Sequence, residues 1–190
     1  MAHALEIEGR SVLTFPAARR ADAGDPALAE TIRAVAAGDE HAFARLYDGY
    51  ARLVRAILFA RVPRRDVDDL VQDVFLTAYT RLHELRSASA FGGWIATIAR
   101  NRATDYLRQS RDHAELPDDL PGGDPIEAET LAVLDAVRRL PDAYRETLLM
   151  RLLEGMSGNE IADRTGLTPA SVRVNLHRGM QLLRKKLGYE

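Results

Sequence analysis

The stretch NEIADRTGLTPASVRVNLHRG, residues 159–179, sets a short apolar pattern, a Gly-Leu-Thr-Pro corner and an arginine-bearing run side by side. Ser157 and Glu160 have the spacing of a capping box, in which hydroxyl and carboxylate each satisfy one orphan amide at a helix start. A short helix should therefore begin here and end near Gly166. Thr168 and Pro169 then supply an N-cap and a first helical residue at which the missing N–H does no harm. Two helices joined through a glycine turn make a helix-turn-helix candidate. On the second, Val172, Leu176, Met180, Leu183 and Leu187 form a packing stripe, so Arg173, Asn175, His177, Arg178, Gln181 and Arg184 must mostly face elsewhere. Between residues 171 and 186 there are five basic groups and no acid. Such a face suits a DNA major groove, where arginine bridges guanine acceptors, asparagine pairs with adenine and further cations neutralise phosphates. On an ordinary helical hairpin the same face is merely solvated. The rest of the chain has to decide.

Working outward, helical periodicity dominates and no alternating run of strand length stands out. Residues 1–25 read as a polar, Ala-rich, disordered leader. A first helical domain is expected over 26–111. There PALAETIRAVAAGDE forms a short helix stopped at Gly38, and Asp39 caps a second helix. The apolar face of that second helix runs Phe43, Leu46, Tyr47, Tyr50, Leu53, Val54, Ile57, Leu58. Pro63 breaks it. Asp66 is expected to cap a third helix, or to favour its start through the dipole, with Val67, Leu70, Val71, Val74, Phe75, Ala78, Tyr79 and Leu82 at three-four spacing. Ser87 to Ser89 make a polar corner before FGGWIATIARNRATDYLRQSR, the fourth helix. Residues 112–126, rich in proline, glycine and acid, read as a flexible linker. A second helical domain follows over 127–190. The class is all-α: two small helical domains on an acidic tether.

Charge is strongly segregated along the 190 residues, although the net value is only −2. Residues 41–111 carry twelve bases against seven acids, and 131–190 carry ten against seven. Between them, 112–130 hold seven acids and no base. Binding follows the local field, so two basic blocks point to a polyanion partner despite the acidic total. The acidic segment reads as a hydrated tether. With no cysteine there is no disulfide, thiolate metal site or thiol nucleophile, which suits a reducing compartment. Glu6 and Glu8 make a poor signal peptide, and no run approaches the ~18 apolar residues of a membrane span. A cytoplasmic chain without membrane insertion is expected. None of the five histidines shows metal-site spacing, and no phosphate-cradling loop, nucleophile elbow or spaced carboxylate pair is present. No metal, no cofactor and no enzymatic activity are expected.

The segments AFARLYDGYARLVRAIL, DVDDLVQDVFLTAYTRL and FGGWIATIARNRATDYLRQSR precede LDAVRRLPDAYRETLLMRLLEGMSGNEIADRTGLTPASVRVNLHRGMQLLRKKL. In that order and spacing the chain, from about residue 27 to 187, resembles the extracytoplasmic-function (ECF) sigma factors, the smallest group of the bacterial primary-sigma superfamily. The resemblance implies a promoter-specificity subunit of RNA polymerase. Its first half is similar to sigma region 2, which binds the polymerase clamp and opens DNA at the −10 element. Its second is similar to region 4, which docks on the flap and reads the −35 element. The resemblance also implies that the acidic connection threads polymerase channels built for nucleic acid, where it would act as a nucleic-acid mimic rather than only a tether. Core RNA polymerase, promoter DNA and an anti-sigma protein are the implied partners.

Carried over position by position, the resemblance gives Thr168, Ser171, Arg173, Asn175, His177 and Arg178 to −35 reading. The corner Arg86, Ser87 and Ser89 matches the base-capturing loop. Phe91 and Trp94 match an aromatic pair, with Phe91 read rather as a core anchor and Trp94 placed at the DNA. Arg100, Asn101, Arg102 and Arg108 match the helix along the promoter backbone, with Asp105 pairing locally with an arginine. Asp69, Gln72 and Asp73 fall at the contact with the clamp. Departures from the family pattern are Asn175 at a commonly basic position, Gly179-Met180 for Ala-Arg, and the pair Gly92-Gly93. The rivals are a stand-alone helix-turn-helix regulator, which should carry an α/β receiver in its first half, and an adaptor of two bundles with no DNA affinity.

Overall fold

A computed structural model of the chain describes residues 3–7, 10–15, 26–110 and 128–188. The chain divides into two compact units, Ala18–Pro125 and a second that joins Ile126–Glu190 to Met1–Ala17. The acidic connection 112–126 lies outside the described residues.

The first unit holds α1 (Pro26–Ala36), α2 (Glu40–Phe59), α3 (Val67–Thr80) and α4 (Phe91–Ser110). Gly38 takes φ 89°, which an L side chain resists, and turns the chain between α1 and α2. The Asp39 carboxylate accepts from the amides of His41 (2.9 Å) and Ala42 (3.1 Å), the expected cap of α2. Helices α2, α3 and α4 pack on one another, with α1 against α2. Leu53, Val54, Ile57, Val71, Val74, Phe91, Ile95, Ala99 and Ala103 are buried in this core. Each fully buried leucine, isoleucine, valine or phenylalanine side chain contributes about 1.5–3 kcal/mol. Aromatic rings bind the seam, Tyr47 to Phe75 at 4.5 Å and Tyr50 to Phe91 at 4.9 Å between centroids.

Asp66 departs from its expected part. Arg64–Asp66 form a 3-10 turn ahead of α3, and the Asp66 side chain makes no capping bond. Its backbone stands at φ −99°, ψ −4°, not in the extended conformation a cap requires. The carboxylate instead accepts the Tyr106 hydroxyl of α4 at 2.6 Å.

The second unit contains α5 (Ala128–Arg138), α6 (Asp142–Leu152), α7 (Gly158–Thr165) and α8 (Pro169–Lys186). The capping box forms as expected: Ser157 Oγ accepts from the Glu160 amide at 3.3 Å, and Glu160 Oε2 from the Ser157 amide at 2.8 Å. Gly166 ends α7 in the left-handed region at φ 73°. Thr168 Oγ1 then accepts the Ser171 amide at 3.1 Å and starts α8. Met150, Ile161, Ala162 and Val172 close the core of this helix pair, with Met156 and Leu176 packed against it.

The leader, expected to be disordered, carries a hairpin: β1 (His3–Ile7) pairs antiparallel with β2 (Arg10–Phe15). It groups with the second unit, β1 against α6 and β2 against α5. A register shift between Leu5 and Glu6 leaves Val12 without a partner. That extra residue puts Val12 and Leu13 side by side in the sequence and hides the alternation by which strands are recognised. The rest of the described chain is helical, as the class requires.

Candidate nucleic-acid interface

On α8 the buried seam is Val172, Gly179 and Leu183. Opposite it Ser171, Arg173, His177, Arg178, Gln181 and Arg184 are exposed, and Asn175 is half-buried at the edge. Thr168 is exposed at the N-cap, its hydroxyl also 2.9 Å from Ser171 Oγ. The helix-turn-helix thus holds all six proposed −35 residues on one helix and its cap. The Gly179 departure has a packing reason: a Cβ there would stand 3.0 Å from Leu148 Cδ1 and 3.2 Å from Tyr144 Cβ. Glycine lets α8 approach α6. Val174 belonged to neither the packing stripe nor the polar set, yet it is 45% exposed on the outward face. Its phase, two residues beyond Val172, is the signal that would have found it.

In the first unit, a 3-10 turn over Ala88–Ala90 leads into α4 and lies against α1. Arg86, Ser87 and Ser89 are exposed, with the two serine hydroxyls 2.8 Å apart. Among the described residues Arg86 has no ion-pair or hydrogen-bond partner. Just before this turn, Arg81 donates to both carboxylate oxygens of Glu84, at 2.9 and 2.7 Å. Those bonds hold the Glu84 carboxyl below its ordinary range and raise the Arg81 guanidinium. Phe91 is buried between Tyr50 and Trp94, while Trp94 is only half-buried.

Along α4 the four matched residues separate. Asn101 is exposed, and Arg108 is exposed with its guanidinium 3.8 Å from Asp105. Arg102 donates to Asp73. Arg100, expected at the DNA, is buried, and its Nη2 donates to Thr97 Oγ1 at 3.1 Å. The reason is helical phase: Arg100 shares its face with Ala96, Ala99 and Ala103, whose small side chains leave room for an arginine stem.

On α3, Asp68 pairs with Arg55 at 2.7 Å. Asp69 and Gln72 are exposed, and among the described residues Asp69 has no ion-pair partner. Gln72 borders an apolar groove of about 450 Å³ between α2 and α3, which Phe43, Tyr47, Phe75, Leu76 and Tyr79 also line. Among the described residues no cluster of potential ligands could hold a metal ion, and no helix is long and apolar enough to cross a membrane.

The comparisons with known proteins divide the chain in the same way. A family described as Sigma-70 region 2 matches residues 46–113, and Sigma-70, region 4 matches residues 130–183. The chain is 30% identical over 184 residues to the ECF RNA polymerase sigma factor BldN of Streptomyces coelicolor, spanning 88% of this chain and 68% of that one. To the ECF RNA polymerase sigma factor SigM of Mycobacterium tuberculosis it is 32% identical over 168 residues, covering 85% of each. Among solved structures, CnrH in complex with the cytosolic domain of CnrY matches with a TM-score of 0.60 at 25% identity, over 86% of this chain and 99% of that one. A stand-alone regulator or an adaptor would not carry a region 2 bundle, and the sigma family is not a family of catalytic enzymes. With a helical region 2 unit ahead of a helix-turn-helix region 4 unit, the chain belongs to the extracytoplasmic-function sigma factors, promoter-specificity subunits of bacterial RNA polymerase.

Proposed function

We propose that α8 reads the −35 element and that the turn before α4, with α4 itself, engages the −10 element. The observation that carries this is the outward face of α8, cationic and free of acid, at the end of a helix-turn-helix fixed by three local caps. Arg173, Asn175, His177 and Arg178 take base edges, and Thr168 and Ser171 lie where the helix start meets phosphate. At −10 no catalytic group is needed, only a pocket that holds an unstacked base better than the duplex does. Stacking is worth ~1–3 kcal/mol per base. Arg86, Ser87 and Ser89 form the rim, with half-buried Trp94 beside them. Asn101 and Arg108 follow the backbone, and Arg102 joins them once Asp73 releases it. Arg100 is left to the fold.

Asp69 and Gln72, with Asp73, meet the basic clamp of core polymerase, and the exposed acid and the adjoining groove support that assignment. The chain acts without enzymatic activity or cofactor, in the cytoplasm. It is held inactive by an anti-sigma protein, an expectation supported by the capture of CnrH with a cytosolic protein domain. The domain limits 26–111 and 127–190 and the tether between them belong to the same proposal.

The test is reconstituted transcription on a pool of promoter fragments. Promoter-specific initiation should require both this chain and core polymerase. Tight sequence-specific duplex binding by the chain alone, with no effect on polymerase, would overturn the reading.

A further inference from the structure

The outward crest of α8 is not uniformly polar. Val174 stands there 45% exposed, whereas Val172 and Leu183 are fully buried. At ~100° per residue the side chain of Val174 lies nearly opposite the Val172–Gly179–Leu183 seam. Its neighbours at three- and four-residue spacing, Ala170, Ser171, His177 and Arg178, are all exposed. The crest is thus an apolar centre with polar and cationic flanks. The fold gains little from a β-branched residue at that point, because it lies outside the buried core and is a weaker helix former than alanine. Whatever the two methyl groups meet comes from outside.

The charge of the helix identifies the occupant. With five cations and no acid over residues 171–186, the surface attracts a polyanion, and Val174 lies in the second turn of the helix, the part that enters a major groove. Within that groove the apolar group a base edge offers is the C5-methyl of thymine. Arginine and asparagine contacts are matched by acceptors and amino groups, and phosphate contacts read no sequence at all.

We propose that Val174 is a specificity-determining residue that selects a thymine in the −35 element by apolar contact with its C5-methyl group. The inference rests on α8 being the −35 reader.

The test uses the full chain assembled with core polymerase. A −35 element is first selected from randomised promoters. Each thymine of either strand is then replaced singly by deoxyuridine, which keeps every hydrogen bond and removes only the methyl. Promoter affinity at fixed salt is measured for the parent chain and for Val174→Ala, a variant that alanine's helix propensity keeps folded. One replacement should weaken the parent about fourfold, the burial of one methyl-sized group, and should weaken Val174→Ala distinctly less, because alanine's shorter side chain covers less of that methyl. A selected element without thymine, no methyl effect at any position, or an equal effect in Val174→Ala overturns the proposal. If the Arg173→Ala variant still loses −35 preference in those cases, the α8 reading stands and only the role of Val174 falls. Initiation indifferent to the −35 sequence sinks both.

Discussion

The Arg102 guanidinium on α4 grips a single carboxylate oxygen of Asp73 on α3, donating from Nε at 3.0 Å and from Nη2 at 2.6 Å. One partner was expected at the promoter and the other at the polymerase clamp, so each is engaged by the other before either macromolecule arrives. Both side chains are partly exposed, at 34% and 45%, so the pair adds at most ~0.5 kcal/mol to stability after solvent screening. Its consequence lies in which charges are available. In the isolated chain Arg102 is a neutralised cation. Asp73→Ala should therefore strengthen binding of a single-stranded −10 oligonucleotide and steepen its salt dependence by about 0.7, one further phosphate contact. Arg102→Ala alone should cost less than a full phosphate contact, because the guanidinium is already partly engaged, and the double variant should match the parent. A loss of affinity in Arg102→Ala equal to one phosphate contact would show that the pair does not restrain it.

On α8 the arginines should separate by what they touch. Arg173→Ala and Arg178→Ala should each weaken holoenzyme binding to the preferred −35 element by roughly 1–3 kcal/mol if each bridges a guanine. An arginine that holds only phosphate would lower affinity evenly across sequences and flatten the salt slope by about one. Binding measured on matched and mismatched −35 elements at several salt concentrations separates the two. Unchanged initiation from every promoter would remove that residue from the interface.

The features legible in the sequence were those whose cause is local. Asp39, Ser157 with Glu160, and Thr168 each satisfy amides within three residues, so their spacing announces them. The face of α2, and Val172 and Leu183 in the seam of α8, follow from periodicity, whereas Gly179 joins that seam with no apolar side chain to announce it. What escaped depends on partners far along the chain. Asp66 has a cap's position, but its partner Tyr106 is forty residues away, set by the α3–α4 packing. Arg102 meets Asp73 across the same pair of helices. Arg100 was legible after all, since its spacing from Ala96 and Ala103 places it on the buried face, but its charge outweighed its phase. The hairpin was obscured by the single extra residue at Val12.

Tyr106 supplies a check on that long-range contact. Its hydroxyl donates to Asp66 at 2.6 Å, tying the C-terminal half of α4 to the start of α3. Tyr106→Phe removes the bond and little volume. The partly buried carboxylate can regain water, so the cost should be about 1 kcal/mol. Equilibrium denaturation of the parent and the variant measures it. A stability within experimental error of the parent would mean that helix packing alone positions α4.

Gly179 tests whether the close approach of α8 to α6 is required. Two effects oppose each other in Gly179→Ala. Replacing a helical glycine by alanine gains up to ~1 kcal/mol. The new Cβ, however, would lie 3.0 Å from Leu148 Cδ1 and 3.2 Å from Tyr144 Cβ, closer than such contacts normally come. Leu148 is fully buried and also brings its Cγ to 3.2 Å, so its side chain has little room to shift. Tyr144 Cβ sits on the α6 backbone and cannot move without the helix. Alanine should therefore destabilise by up to about 2 kcal/mol, because the propensity gain offsets only part of the crowding. Valine adds two methyl groups against the same wall with no such gain, and should destabilise the second unit by about 1–3 kcal/mol. Because Val172 and Leu183 share that seam, the displacement should also tilt the outward face of α8. Discrimination between matched and mismatched −35 elements should then fall in Gly179→Val at temperatures where the unit remains folded. A valine variant as stable as the parent, with unchanged discrimination, would mean that the seam has slack and that the glycine serves no packing purpose.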